Sequence, residues 1–163
     1  MRSLAVVAVW VASPVIAATT MLQGQAVSVA TGDTLTVAVD GKAMEIRLAD
    51  IGAPTGSEYF APSARALLDA IVAGKDVRIE ATAITDDGRA VGRVSVGELD
   101  VTLELVRRGA AWVCWEYAAD SRLLPYENDA RCFRRGLWPS TWEIDARAAC
   151  RRRPPLLRPD IKP

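Results

Sequence analysis

The side chains available for chemistry are limited by what the sequence lacks. The 163 residues include no histidine and three cysteines, none of which form a Cys-x-x-Cys pair. Zinc sites, histidine general bases and Ser-His-Asp triads are therefore excluded by inventory. What remains is a balanced set of 20 Asp plus Glu and 20 Lys plus Arg.

Five short motifs carry many of these charged groups. In chain order they are Thr31-Gly32-Asp33-Thr34; Arg47-Leu48 with Pro54; Asp87-Gly88-Arg89; Leu105-Val106-Arg107-Arg108-Gly109-Ala110; and Glu127 with Ala130-Arg131 and Gly136-Leu137-Trp138. In order and spacing the chain resembles the staphylococcal nuclease (thermonuclease) family. The resemblance implies a calcium-dependent phosphodiesterase that acts on nucleic acid and is built on an oligonucleotide-binding barrel.

Carried over one position at a time, the resemblance implies a role for four residues. Asp33 matches the first metal-binding aspartate, and Ala53 would offer its backbone carbonyl to the metal. Arg47 and Arg89 match the two arginines that hold the phosphate. The residue types suit these roles, because Ca²⁺ prefers anionic oxygen ligands and guanidinium groups match the geometry of a phosphate.

The catalytic set is nevertheless incomplete. The second metal-binding aspartate of the family falls at Gly52, and its catalytic glutamate falls at Thr55. A shifted alignment would recruit Asp50 to the metal and Glu58 as a substitute base. Since a positioned general base contributes about 10²- to 10⁴-fold to a rate, these gaps predict that hydrolysis is weak or lost.

Two aromatic residues fall where the family places aromatic side chains beside the nucleotide base. Trp115 and Tyr117 are two positions apart, so on an extended segment they share one face. Base stacking is the functional interpretation. The alternative is that Trp115 packs against the barrel.

The hydrophobic pattern indicates the elements that must position these residues. It predicts an α+β, mainly β domain, a five-stranded oligonucleotide-binding barrel with about three helices. Asp40-Gly41 marks a hairpin turn between the second and third strands. Alternation predicts strands around Val27 and Val29, Leu35 to Val39, Met44 to Leu48, Asp76 to Ala81 and Val91 to Val96, and helical spacing predicts helices over 63–72, 101–108 and 126–135.

The chain divides into three regions. Residues 1–18 have the basic start, short apolar stretch and small residues of a cleaved signal peptide, which predicts export to the periplasm or the exterior. The apolar stretch is too short to cross a bilayer as a helix, so no stable membrane span is expected. Residues 25–142 form the predicted barrel domain, and residues 147–163 form a basic, proline-rich tail that is expected to be extended and mobile.

Charge is unevenly distributed between these regions. Residues 19–146 carry 13 Lys plus Arg against 19 Asp plus Glu, a net charge of −6, whereas residues 147–163 carry 6 against 1, a net of +5. An acidic body attracts a polyanion poorly. Any binding of single- or double-stranded nucleic acid is therefore expected to depend on local arginines.

The three cysteines allow one disulfide in an exported protein. Cys114 and Cys132 are predicted to form it, because both lie inside the domain. The alternative is that all three thiols are unpaired and small enough to pack in the core.

Three hypotheses of function follow. The first is an exported, Ca²⁺-dependent nuclease that has replaced its missing carboxylates. The second is a barrel that binds nucleic acid, a nucleotide or a protein without hydrolysis, and the third is a purely structural domain of the cell envelope. The first predicts metal-dependent turnover, and the second predicts binding without turnover.

Overall fold

The computed structural model describes residues 19–84, 88–115, 118 and 120–138. Eight strands and three helices follow one another along these residues. They are β1 (Thr20–Thr31), β2 (Thr34–Val39), β3 (Lys42–Leu48), β4 (Ile51–Gly52), α1 (Ala61–Val72), β5 (Asp76–Ile84), β6 (Arg89–Val96), β7 (Leu99–Asp100), α2 (Val101–Arg107), β8 (Trp112–Val113) and α3 (Leu123–Cys132).

Five of the strands form a closed barrel. Their order is β3-β2-β1-β5-β6, and β6 returns to pair with β3, which closes the ring. The closing pair is parallel, whereas the other pairs in the ring are antiparallel. The short strand β7 pairs antiparallel with β6, and β4 pairs separately with β8. The predicted five-stranded, mainly β barrel with three helices is confirmed.

Alternation along the strands builds the core, as the sequence predicted. In β2, Leu35, Val37 and Val39 are buried, and the residues between them are partly exposed. The predicted turn after β2 is also confirmed, because Asp40 and Gly41 both adopt the left-handed conformation, with φ of 50° and 75°. This conformation matches the twist of a two-residue hairpin.

β1 differs from the predicted pattern. Val27 is 62% exposed, whereas Ala26 and Val29 are buried. A register shift between Ala26 and Ser28 explains this, because an extra residue in one strand reverses the face of those that follow. β1 also begins at Thr20, so the barrel extends beyond the predicted start at residue 25.

The helices agree with the sequence to different degrees. α1 spans Ala61–Val72 against a predicted 63–72, and α2 ends before Gly109, which has a positive φ as expected of a helix end. α3 spans Leu123–Cys132, about one turn before the predicted 126–135. The left-handed conformation of Arg134, with φ of 54°, ends the helical path before Gly136 is reached.

Some predictions lie outside the described residues, including the signal peptide over 1–18, the end of the domain at 142 and the tail over 147–163. In the part of the chain that is described, no helix combines the length and hydropathy that a membrane crossing requires.

The predicted disulfide is wrong. Cys132 is a free, exposed thiol, whereas Cys114 is buried and takes part in a disulfide bond. Helix geometry explains the mismatch. Ala130 faces the apolar cluster that contains Cys114, and Cys132, two positions further along α3, therefore points away from it.

Cys132→Ser is expected to leave the disulfide intact, because the thiol it removes is free. Cys114→Ser is expected to remove the bond and to lower the free energy of unfolding by about 2 to 4 kcal/mol. Peptide mapping without reductant and denaturant titration measure these effects. Loss of the disulfide in Cys132→Ser would contradict the pairing described above.

Candidate phosphate-binding site

Asp33 is a buried carboxylate at the turn between β1 and β2. It is 1% exposed, and three donors contact its oxygens. The hydroxyls of Thr31 and Thr34 donate to Oδ1 at 2.6 and 3.1 Å, and the backbone N–H of Ala53 donates to Oδ2 at 3.3 Å. Local sequence therefore holds this side chain on one side, and the segment after β3 holds it on the other.

Arg47 and Arg89 lie on the two strands that close the barrel. Arg47 pairs with Val91, and Arg89 pairs with Glu45, two positions before Arg47 on β3. Their neighbours Ile46 and Ala90 are buried inside the barrel. Side chains alternate along a strand, so both arginines point outward on the same side, with Cα atoms about 8 Å apart by strand geometry.

Backbone contacts join Asp33 to this pair. The N–H of Leu48 donates to the carbonyl of Asp33 at 2.8 Å, and Thr34 is the cross-strand partner of Arg47. Asp33, Arg47 and Ala53 are therefore in one place at the end of β3. The structure brings together the residues that the sequence assigned to one site.

Gly52 is in contact with the indole of Trp112. The two residues are cross-strand partners in β4 and β8. A Cβ atom on Gly52 would lie 2.7 Å from Trp112 Nε1, closer than such contacts allow, and this buried N–H has no hydrogen-bond partner among the described residues. At the position where the family has a metal-binding aspartate, the indole edge of Trp112 therefore fills the space that a side chain would need.

Asp50 is engaged with an arginine of β6. Its carboxylate lies 3.8 Å from Nη2 of Arg93, and its backbone has φ of 68°. Arg93 Nη2 also donates to Asp120 at 2.6 Å, and its Nε lies 3.9 Å from Asp100. A metal ion would have to compete with this guanidinium for Asp50.

Asp120 is the most strongly perturbed carboxyl of this network. Hydrogen bonds from the Arg122 side chain, opposed by burial, hold the pKa of Asp120 at about 2, below its usual 3.8. The N–H of Arg122 and the charge of Arg93 act in the same direction. Asp120 remains ionised and ties the segment after Cys114 to β6.

Glu58 lies close to the position where the family has its catalytic glutamate. The backbone N–H of Thr55 donates to Oε2 of Glu58 at 2.7 Å, and the Thr55 hydroxyl does so at 3.4 Å. Glu58 is exposed and belongs to the turn before α1. A carboxylate is therefore present beside residue 55, although residue 55 is a threonine.

Trp115 is half exposed, with 50% of its surface accessible, and it directly follows Cys114, whose N–H donates to the carbonyl of Asp50 at 2.9 Å. This bond joins the aromatic segment to the loop that follows Arg47. Tyr117 lies outside the described residues. The stacking role of both aromatics remains a prediction.

The described side chains do not fit a calcium site. Ca²⁺ takes six to eight oxygen ligands. Among the described residues, no group of three or more Asp, Glu or Cys side chains is placed to hold a metal ion. Asp33 already accepts three hydrogen bonds, Asp50 is paired with Arg93, and residue 52 has no side chain.

Three important contacts of this region were not predicted. They are the packing of Trp112 on Gly52, the Arg93 network and the buried carboxylate of Glu127, which accepts the N–H of Val113 at 3.0 Å. Glu127 was visible only as a motif residue. The other two join residues far apart in sequence and leave no local pattern.

The comparison with known families gives one match. Residues 45–140 match the profile of the family described as staphylococcal nuclease homologue. This range contains Arg47, Gly52 and Arg89, whereas Asp33 precedes it.

Curated relatives agree with this match. An "Uncharacterized endonuclease" of Escherichia coli O157:H7 is 36% identical over 118 residues, covering 72% of this chain and 77% of the relative. A protein of the same description from Haemophilus influenzae is 32% identical, with coverages of 71% and 70%. A "Micrococcal nuclease" of Shigella flexneri is 31% identical, with coverages of 71% and 73%.

Gly52→Ala is expected to destabilise the protein by about 1 to 3 kcal/mol, because the added methyl group overlaps the indole of Trp112. Denaturant titration measures the change. The same substitution in a Trp112→Phe background is expected to cost less, since the indole edge is then absent. Equal costs in both backgrounds would show that the indole is not the cause.

Asp120→Asn is expected to lower the free energy of unfolding at neutral pH, because the ion pair with Arg122 is lost. The decrease should be only about 1 kcal/mol, since Arg122 is exposed and solvent screens its charge. A carboxyl with a lowered pKa stabilises the fold above its unfolded pKa, near 3.8. This contribution is lost as the pH falls towards about 2. The difference between variant and wild type should therefore shrink between these values.

Asp129→Asn is the matched control, since Asp129 is an exposed aspartate of α3. It is expected to change stability little at either end of this range. An Asp120→Asn variant that is as stable as the wild type at neutral pH would contradict the network.

Proposed function

The chain belongs to the staphylococcal nuclease family, and from this premise we propose that it is an exported nucleic-acid-binding barrel whose phosphodiester hydrolysis is weak or lost. The observation that carries the proposal is the contact between Gly52 and Trp112, at the position of a metal-binding carboxylate. The neighbouring side chains of Arg47 and Arg89 support the proposed binding of nucleic acid. The hydrogen bonds that Asp33 already accepts and the pairing of Asp50 with Arg93 support the proposed loss of hydrolysis.

The two arginines suit a phosphate diester. They lie on adjacent strands of a closed barrel, so no backbone segment has to become ordered when they receive a ligand. Each guanidinium offers parallel N–H donors that match two oxygens of one phosphate. Two such groups about 8 Å apart can contact one phosphate or two neighbouring ones.

Hydrolysis needs more than phosphate binding. In the family that the chain resembles, carboxylates hold a metal ion and activate water, and two of these positions are Gly52 and Thr55 here. Loss of the general base alone raises a barrier by roughly 3 to 5 kcal/mol. Because the remaining donors do not fit Ca²⁺, we assign no step to a metal ion.

One observation favours a second candidate, an active nuclease with a substitute base. The carboxylate of Glu58 accepts the N–H of Thr55 at 2.7 Å, so it lies next to the position of the missing glutamate. Glu58 would then deprotonate the attacking water. Calcium is the cofactor that the resemblance implies for such an active form, which would need ligands beyond the described side chains.

Export is part of the proposal and is supported by the sequence of residues 1–18. A disulfide at Cys114 is consistent with an oxidising compartment. Because residues 19–146 carry a net negative charge, a nucleic-acid ligand would be bound by local arginines and not attracted by a broad positive field.

Binding and cleavage are expected to separate in a single experiment. The purified protein is incubated with labelled single- and double-stranded DNA and RNA, with Ca²⁺, Mg²⁺, Mn²⁺ or a chelator. Anisotropy reports binding and gel electrophoresis reports cleavage. We expect the protein to bind nucleic acid in the presence of chelator, and Arg89→Ala to weaken this binding about tenfold or more. We expect little or no cleavage with any of the metal ions.

Two variants act as controls. Arg78→Ala removes an exposed arginine of β5 and is expected to retain affinity, whereas Arg89→Lys keeps the charge but loses the fork and should bind more weakly. Metal-dependent cleavage that disappears in Glu58→Gln would favour the second candidate. Absence of any binding by a folded protein would refute both.

A further inference from the structure

The C-terminal ends of α2 and α3 meet at a close backbone contact. The N–H of Leu137 donates to the carbonyl of Gly109 at 2.8 Å. A Cβ atom on Gly136 would lie 2.3 Å from that carbonyl, so the two chain segments touch only because this residue is glycine. The contact brings the last turns of both helices to one surface.

Five arginines are gathered on this surface. Arg107 and Arg108 end α2, and Arg131, Arg134 and Arg135 lie at or just after the end of α3. Nη1 of Arg135 donates to the carbonyl of Arg107 at 3.1 Å, which links the two groups. We call these five residues the arginine patch.

The arginine patch is not neutralised by its own carboxylates. Glu104 is shared by two of its members, accepting from Arg107 at 2.8 Å and from Arg108 at 2.5 Å. These bonds lower the pKa of Glu104, with the largest effect from Arg107, so Glu104 stays ionised. Glu127 pairs with Arg131 at 3.4 Å. Among the described residues, two carboxylates thus form ion pairs with three of the five guanidinium groups.

This concentration stands out against the acidic body. The patch holds five of the 13 basic residues between positions 19 and 146, a stretch whose net charge is −6. Within the described residues, Arg134 has no carboxylate within 4 Å of its guanidinium. Arg107, Arg108 and Arg131 keep nearly half of their side-chain surface exposed despite their ion pairs.

An aromatic ring lies within the patch. Phe133 is 66% exposed, and the guanidinium carbon of Arg135 is 5.0 Å from its ring centroid. An exposed aromatic ring between arginines offers a face on which a base can stack. Guanidinium groups alternating with an exposed aromatic ring are typical of surfaces that bind single strands.

We propose that the arginine patch is a second nucleic-acid contact, which holds phosphates of a strand whose other part occupies the Arg47 and Arg89 site. This inference rests on the proposed binding function. One apolar cluster, Trp112, Cys114, Ala130, Leu137 and Trp138, contacts segments of both sites, with Trp112 against Gly52 and Trp138 under Arg131. A short ligand therefore fills one site, and a longer strand reaches both.

The test compares a dinucleotide with a single strand of about 20 nucleotides, longer than the roughly 4 to 16 that one such barrel covers. The patch variant is Arg134→Gln with Arg135→Gln. The control is Arg65→Gln with Arg78→Gln, an equal loss of charge from exposed arginines that, like Arg135, each donate to one backbone carbonyl. Affinities are measured in chelator over a range of salt.

The patch variant is expected to bind the long strand more weakly, by about tenfold per lost phosphate contact at about 0.05 M salt, and its salt slope should fall by about 0.7 per contact. Its affinity for the dinucleotide should equal that of the wild type. The control pair should change neither ligand's salt slope. Arg134→Lys with Arg135→Lys should restore most of the affinity for the long strand.

Other outcomes overturn the inference. If the patch variant and the control pair bind the long strand alike while Arg89→Ala weakens it, the patch is refuted and the proposed function stands. If the patch matters but Arg89→Ala does not, the proposed site fails instead. If the patch variant loses only binding to vesicles that contain phosphatidylglycerol, the ligand is a lipid surface and the nucleic-acid inference is wrong.

Discussion

The parallel pairing of β3 with β6 is the interaction on which the rest of the structure depends. It closes the barrel, seals the core and sets Arg47 and Arg89 on neighbouring strands. Gly92, which pairs with Leu48 in this ladder, also allows β6 to lie close to β5, because a Cβ atom there would lie 2.5 Å from the carbonyl of Glu80. A side chain there would push β5 and β6 apart. Closure of the barrel and the placement of the two arginines therefore depend on a single set of backbone contacts.

Elements with strong local signals could be predicted from the sequence. The Asp40-Gly41 turn, the alternation of β2 and the end of α2 at Gly109 each follow from the preferences of a few adjacent residues. The bulge of β1 could not, because it depends on the pairing with β2, and the early end of α3 could not, because a non-glycine residue, Arg134, takes the left-handed conformation there. Val27 faces outward only because Ala26 and Ser28 pair out of register with β2.

The features of the candidate site also separate into those that the sequence could predict and those that it could not. Motif spacing placed Asp33, Arg47 and Arg89 in one site, and the strand register brings them together. The contacts that decide what the site can do were hidden, because they join distant segments: Gly52 to Trp112 and Asp50 to Arg93. The cysteine pairing failed for a related reason. Sequence shows which thiols exist, but only the face of α3 shows which one is buried.

Asp33 is the most deeply buried carboxylate among the described residues. A carboxylate that is 1% exposed must be compensated, since an isolated buried charge is very unfavourable. In a metal site the cation would supply that compensation. Here two threonine hydroxyls and the N–H of Ala53 donate to its oxygens and contribute to that compensation. A metal ion bound at Asp33 would have to share the same two oxygens with these three donors.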